Sequence, residues 1–169
     1  MTNRGQSARD ANPFATRWIR PGAIAYQFPP GASAEQLVEQ LGRQRWRGQI
    51  VGPHGSGKTT LVHALIPPLQ RAGRHVEHFT LHDGQRRLPV DAHRRSAWDD
   101  STLVLVDGYE QLGRWHRFWL RWTCRRCGSG LLATAHRSVG LPELFQTAIT
   151  AESARRIVKD LLPADSDMI

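Results

Sequence analysis

The chain has 169 residues, 40% of them hydrophobic, and carries 23 Lys and Arg against 15 Asp and Glu for a formal charge of +8. That suits one domain with a real core, and it argues against disorder as the default. No run approaches the ~18 apolar residues of a membrane span, residues 1–10 hold no apolar run to act as a signal, and two cysteines cannot build a secreted disulfide framework, so a cytoplasmic protein is expected.

Residues 1–12 are polar and read as a disordered tail. Residues 13–44 begin as extended, turn-rich chain with Pro13, Pro21, Gly22, Pro29, Pro30 and Gly31, anchored by Phe14, Trp18, Ile24, Tyr26 and Phe28. Ser33 is an N-cap with Gln36 three residues on, and Leu37, Val38 and Leu41 form one stripe, which predicts a short helix over 34–42. Gln49-Ile50-Val51 is a short strand leading into a glycine loop. From Lys58 a helix follows, with Leu61, Val62, Leu65, Ile66 and Leu69 on one side. Pro67 and Pro68 are expected to kink or end it near Ile66, since proline lacks the donor and crowds the preceding turn.

His75 to Leu81 reads as a second strand, and a short helix is expected near 90–97. Thr102-Leu103-Val104-Leu105-Val106 is a continuous apolar run ending in Asp107, the pattern of a buried parallel strand. A Trp- and Arg-rich helix is predicted over 110–126. Leu131-Leu132-Ala133-Thr134-Ala135 is a further buried strand ending at His136, and a last strand is placed at 146–149. Thr150 then caps a helix to about Leu162, leaving 163–169 as a tail. The strand–helix alternation predicts an α/β fold of three layers, with a mostly parallel central sheet flanked by helices.

The motif Gly52-Pro53-His54-Gly55-Ser56-Gly57-Lys58-Thr59 carries chemistry at its spacing. Glycines let the backbone turn tightly and approach phosphates, whose oxygens meet the N–H groups at the positive end of the following helix. Lys58 reaches the β- and γ-phosphates, Thr59 offers a hydroxyl to Mg2+, and Thr60 continues the first turn. A strand before the motif and an amphipathic helix after it meet the context that the motif requires. The expected ligand is ATP with Mg2+; no Asn-Lys-x-Asp guanine-reading motif is present. Asp107, at the end of the most hydrophobic strand, is the second candidate metal residue beside Thr59.

The run Asp107-Gly108-Tyr109-Glu110-Gln111 resembles the corresponding segment of the additional-strand P-loop NTPases, and within them the STAND and AAA+ branches. The two motifs would then be Walker A and Walker B, and the likeness covers about residues 45–162. STAND proteins carry Asp-Gly-x-acid-acid here; this chain matches at Asp107, Gly108 and Glu110 and has Gln111 for the last acid. The resemblance implies ATP hydrolysis, with Glu110 polarising the attacking water and His136, or else Thr134, sensing the γ-phosphate beside Lys58. It also puts Arg155 and Arg156 in the first helix of a lid. Many relatives place the catalytic Glu directly after the Asp, where this chain has Gly108. Read from the residues alone, Glu110 is equally a helix N-terminal acid stabilised by the dipole, and His136 a strand-end histidine.

Arg114, Arg117, Arg121 and Arg125 share one helical stripe beside Trp115, Phe118, Trp119 and Trp122. The stripe is either a solvated face, with its aromatics in the core or at a subunit contact, or a contact for nucleic acid or an acidic protein. Cys124 and Cys127 form a lone C-x-x-C without the four ligands zinc needs, and read as ordinary helix cysteines. Two further functions remain beside the ATPase: a nucleotide-dependent switch or binding module without turnover, and a small-molecule kinase using the arginines of 83–95.

Overall fold

The computed structural model describes residues 26–148. Four α-helices and five strands follow in order among the described residues: α1 (Ala34–Arg43), β1 (Arg47–Val51), α2 (Lys58–Arg71), β2 (His75–Thr80), α3 (Ala92–Ser96), β3 (Thr102–Asp107), α4 (Arg114–Arg126), β4 (Gly130–Ala135) and β5 (Glu143–Gln146). The five strands form one sheet in the order β2-β3-β4-β1-β5, and every pairing is parallel. The expected thirteenth-to-forty-fourth segment is described from Tyr26 onward; the tails, the predicted helix after Thr150, and Arg155 and Arg156 lie outside the described residues.

Both faces of the sheet are covered, and strand alternation decides which side chain goes where. Leu103 and Leu105 of β3 join Ile50 and Leu132 under α1 and α2, where Leu41, Leu61, Leu65 and Leu69 are buried. Val104 and Val106 point the other way, with Leu131 and Ala133, against Leu120 and Cys124 of α4. β3 and β4 are buried along their whole length, as apolar runs in a doubly covered parallel sheet should be. No described helix is long and apolar enough to cross a membrane.

Local signals explain most boundaries. The Ser33 hydroxyl accepts from Gln36 N at 3.2 Å and caps α1. Past the end of α2, Gly73 takes φ 79°. Arg74 N then donates to Leu69 O and Gly73 N to Gln70 O, the paired bonds of a Schellman ending. Asp91 caps α3, and Arg94 of that helix pairs with the buried Glu77 of β2 at 2.7 Å.

Three boundaries differ from the sequence reading. The helix α2 runs through Pro67 and Pro68 to Arg71 instead of ending near Ile66. Pro68 and Leu69 are buried there, and packing outweighs the ~3 kcal/mol penalty of an interior proline. The helix expected from residue 110 begins at Arg114, because Gly108 at φ 80° turns the chain into a separate 3-10 turn, Tyr109–Gln111. The last strand lies at 143–146, earlier than the expected 146–149, and reaches β1 through a register shift after Gln49.

Candidate functional site

The glycine loop joins the end of β1 to the start of α2, at the edge of the sheet where the parallel strands end, which is where such sheets collect ligands. Its geometry dictates its residues. A Cβ on Gly52 would collide with Thr147 and with the Ser56 hydroxyl. Gly55 and Gly57 sit at φ 71° and 83°, a left-handed backbone that other residues avoid. Gly57 caps α2 without any side-chain bond. Pro53, His54 and Gly55 are exposed, whereas Ser56 and Lys58 are buried and Thr59 and Thr60 are half-buried. The Ser56 hydroxyl reaches Pro53 O at 2.8 Å and shares a 2.6 Å hydrogen bond with the Thr147 hydroxyl.

Lys58 donates to Gly52 O at 2.7 Å and to Pro53 O at 2.6 Å. Its ammonium therefore lies within the curve of its own loop. Burial lowers its pKa from the ordinary 10.5, while Glu110 and Asp107 pull it back up. An anion seated in the loop would offset the same desolvation.

On the other side of the loop Thr59 donates to Asp107 Oδ2 at 2.7 Å. The second oxygen, Oδ1, accepts from the fully buried Thr134 hydroxyl, which in turn accepts from Gly108 N at 2.9 Å. β4 stands between β1 and β3, so Thr134 is placed by register opposite both the loop strand and the strand of Asp107. Thr134 thus orients the Asp107 carboxylate; the histidine two residues on is the one that meets Lys58.

His136 Nδ1 lies 3.3 Å from Lys58 Nζ and 3.2 Å from Gly52 O, and Nε2 lies 2.9 Å from Glu110 Oε1. With its proton on Nε2 the ring donates to Glu110 and accepts from Lys58, which satisfies both neighbours. The exposed His54 ring lies over it with centroids 3.6 Å apart. Glu110 Oε2 is buried without a hydrogen-bond partner. The carboxylate faces across to His136 from the first turn of the 3-10 segment, where Glu110 is also the N-terminal acid of that short helix.

Sequence reasoning missed three contributors. Thr147 closes against Gly52 and Ser56 from the end of β5, a strand placed three residues late. Tyr26 lies against Gly57, about where a Cβ would touch its ring at 3.4 Å, and burial raises its pKa. Arg117 reaches back from α4 to donate to Glu110 O and to Leu112 O at 2.8 Å, and so secures the turn that carries Glu110.

The arginine stripe divides. Arg117 is engaged as described, and Arg121 donates to Tyr109 Oη at 3.1 Å and to Val139 O. Arg114 and Arg125 are exposed. The aromatics are not in the core as a set: Trp115, Phe118 and Trp122 face outward, and only Trp119 packs partly inward. Both cysteines are free; Cys127 donates to Thr123 O.

Among the described residues no three His, Cys, Asp or Glu side chains cluster to hold a metal. The oxygen pair of Thr59 and Asp107 has the hard donor chemistry that Mg2+ takes, and Mg2+ needs only one or two protein ligands beside substrate oxygens and water.

No family model matches this chain, and no curated protein does. A chain of the HORMA:CdnC:Trip13 complex of E. coli MS115-1 is similar over 80% of this chain and 66% of its own length, at 14% identity and a TM-score of 0.45. Protein NMB1076 of Neisseria meningitidis is similar over 93% of each chain, at 15% identity and a TM-score of 0.35. At those values neither likeness bears on what this chain does.

Proposed function

We propose that this chain is a P-loop ATPase that binds ATP with Mg2+ at Gly52–Thr60 and hydrolyses it. One observation carries the reading: Lys58, Thr59, Asp107, Glu110 and His136, drawn from two strand ends, the 3-10 turn and the first turn of α2, converge on the open side of one glycine loop. The strand β4 between the loop strand and the Asp107 strand also accords with the resemblance to the additional-strand group.

Each residue then has a task. The loop N–H groups and the start of α2 bind phosphate oxygens, and Lys58 leaves its loop carbonyls to meet the terminal phosphates. Thr59 and Asp107 would hold Mg2+, which supplies charge neutralisation at the phosphates when bound. Glu110 Oε2, buried and unpartnered, accepts a proton from water and aligns it for in-line attack. His136 holds the other carboxylate oxygen and reports on the position of Lys58.

Phosphate release from Mg-ATP by the purified protein tests this. Wild type is expected to turn over, Lys58→Ala to lose binding, and Glu110→Gln to bind without release. A wild type that binds and never releases phosphate would leave the nucleotide-dependent switch as the account. A cavity of about 360 Å³ lined by Arg86, Glu110 and Arg114 favours one second reading, phosphoryl transfer to a small anionic acceptor. Label from the γ-phosphate would then appear on the acceptor and not in solution.

A further inference from the structure

The outer face of α4 is the least conventional surface among the described residues. Trp115 is 83% exposed, Phe118 65% and Trp122 51%. Large apolar rings left this open mark a contact surface. They border a cavity of about 550 Å³ whose wall also includes Leu88, Arg87 and Arg95, and no acidic residue lines it. α4 itself contains five arginines and no carboxylate. The partner chemistry is therefore anionic.

We propose that this face binds single-stranded nucleic acid. Guanidinium groups already lie on the indoles, Arg95 5.1 Å from the Trp119 ring centroid and Arg126 5.5 Å from that of Trp122. Flat rings alternating with cations match a ligand that alternates bases with phosphates. The three exposed rings stand at i, i+3 and i+7, steps of about 4.5 and 6 Å along the helix axis. Both exceed the rise of about 3.4 Å between stacked bases in a duplex, so the rings suit bases splayed from a single strand. A second copy of the chain would set the same arginines against each other, and an acidic amphipathic peptide would gain more from aliphatic holes than from flat indoles. The surface differs from the full arginine stripe, since Arg117 and Arg121 are turned inward and Arg87 and Arg95 take their place. It does not depend on the ATPase reading.

Fluorescence anisotropy of a labelled oligothymidylate of about 15 nucleotides tests it on the full chain at low salt. Saturable binding is expected, with quenching of indole emission and a steep loss of affinity as salt rises. Trp115→Ala with Trp122→Ala should weaken it about tenfold or more, and Trp122→Phe should largely restore the single-site loss, because a ring still stacks. Arg87→Ala with Arg95→Ala should weaken it and flatten the salt dependence. Lys58→Ala should leave it unchanged, which separates this surface from the nucleotide site. No binding at low salt, or binding indifferent to the tryptophan pair, overturns the proposal. So does a tryptophan-dependent dimer in sedimentation, or tryptophan-dependent binding of a Glu- and Leu-rich peptide, when the oligonucleotide does not bind.

Discussion

His136 Nε2 stands 2.9 Å from Glu110 Oε1, while the Nδ1 of the same ring stands 3.3 Å from the Lys58 ammonium. One imidazole thus spans the lysine proposed to meet phosphate and the carboxylate proposed to hold water. If Glu110 is the proton acceptor, Glu110→Gln should lower phosphate release about 10²- to 10⁴-fold while Mg-ATP still binds. His136→Ala should cost less in turnover, because it removes the group that orients the carboxylate and not the carboxylate itself. Single-turnover phosphate release beside calorimetric binding distinguishes the two. Equal losses of binding in both variants would mean that the pair shapes the loop and takes no part in the chemistry.

Arg117 holds the turn that carries this carboxylate from behind. It donates to Glu110 O and Leu112 O, and its guanidinium lies 5.9 Å from the Tyr109 ring centroid. Arg117→Ala should let the turn drift and lower kcat about 10- to 100-fold with KM little changed. Arg117→Lys should recover part of the loss, since one donor replaces a fork. A purely structural role would instead lower the folded fraction and leave kcat per folded molecule unchanged. Steady-state kinetics on protein quantified by active-site titration checks this.

Much of this site was legible from the residues alone, and the reasons are local. The loop motif, Asp107 and His136 all sit at the ends of short apolar runs, and a buried parallel strand shows itself by such a run. The turn between Asp107 and α4 was not legible, because its break depends on the left-handed Gly108, whose Cβ would have met Leu81 O at 2.8 Å. The prolines of α2 were misread because propensity is a local quantity, and the burial of Leu65, Pro68 and Leu69 is a tertiary one. The outward face of α4 was hidden for a similar reason. Helical spacing groups Trp115, Phe118 and Trp122 together, but spacing alone does not tell which side of the helix meets the sheet; Leu120 and Cys124 take that side.

Thr134 links stability to Asp107, the carboxylate proposed to meet Mg2+. It is fully buried, donates to Asp107 Oδ1 and accepts from Gly108 N. Thr134→Val keeps the shape but leaves Gly108 N–H and one carboxylate oxygen unpaired in a buried place. A loss of about 1–3 kcal/mol is expected from urea unfolding. Phosphate release should also need a higher Mg2+ concentration, because the Asp107 carboxylate is no longer held. Unchanged stability would mean that water replaces the hydroxyl without cost.

Cys124 gives a pH dependence that can be read without any ligand. Burial in the core under α4 pushes its thiol up from 9.0 to about 11. The unfolded chain therefore releases this proton first as pH rises. Between 9.0 and about 11 the unfolded state holds fewer protons than the folded one, so stability falls with pH across that window. The contribution is complete below 9.0, and the shift corresponds to about 3 kcal/mol lost by its upper end. Burial also raises Tyr26 and Tyr109 above 10.0, with the same sign. Cys124→Ala separates the terms: the variant keeps the tyrosine contribution and lacks the thiol's. Its stability should start lower at neutral pH, because a buried sulfur is lost, and should then fall less steeply above 9.0 than that of wild type. Urea unfolding of both proteins at a series of pH values measures the difference. Parallel curves would show that Cys124 ionises as readily in the folded protein as in the unfolded chain, and that the core beneath α4 admits water.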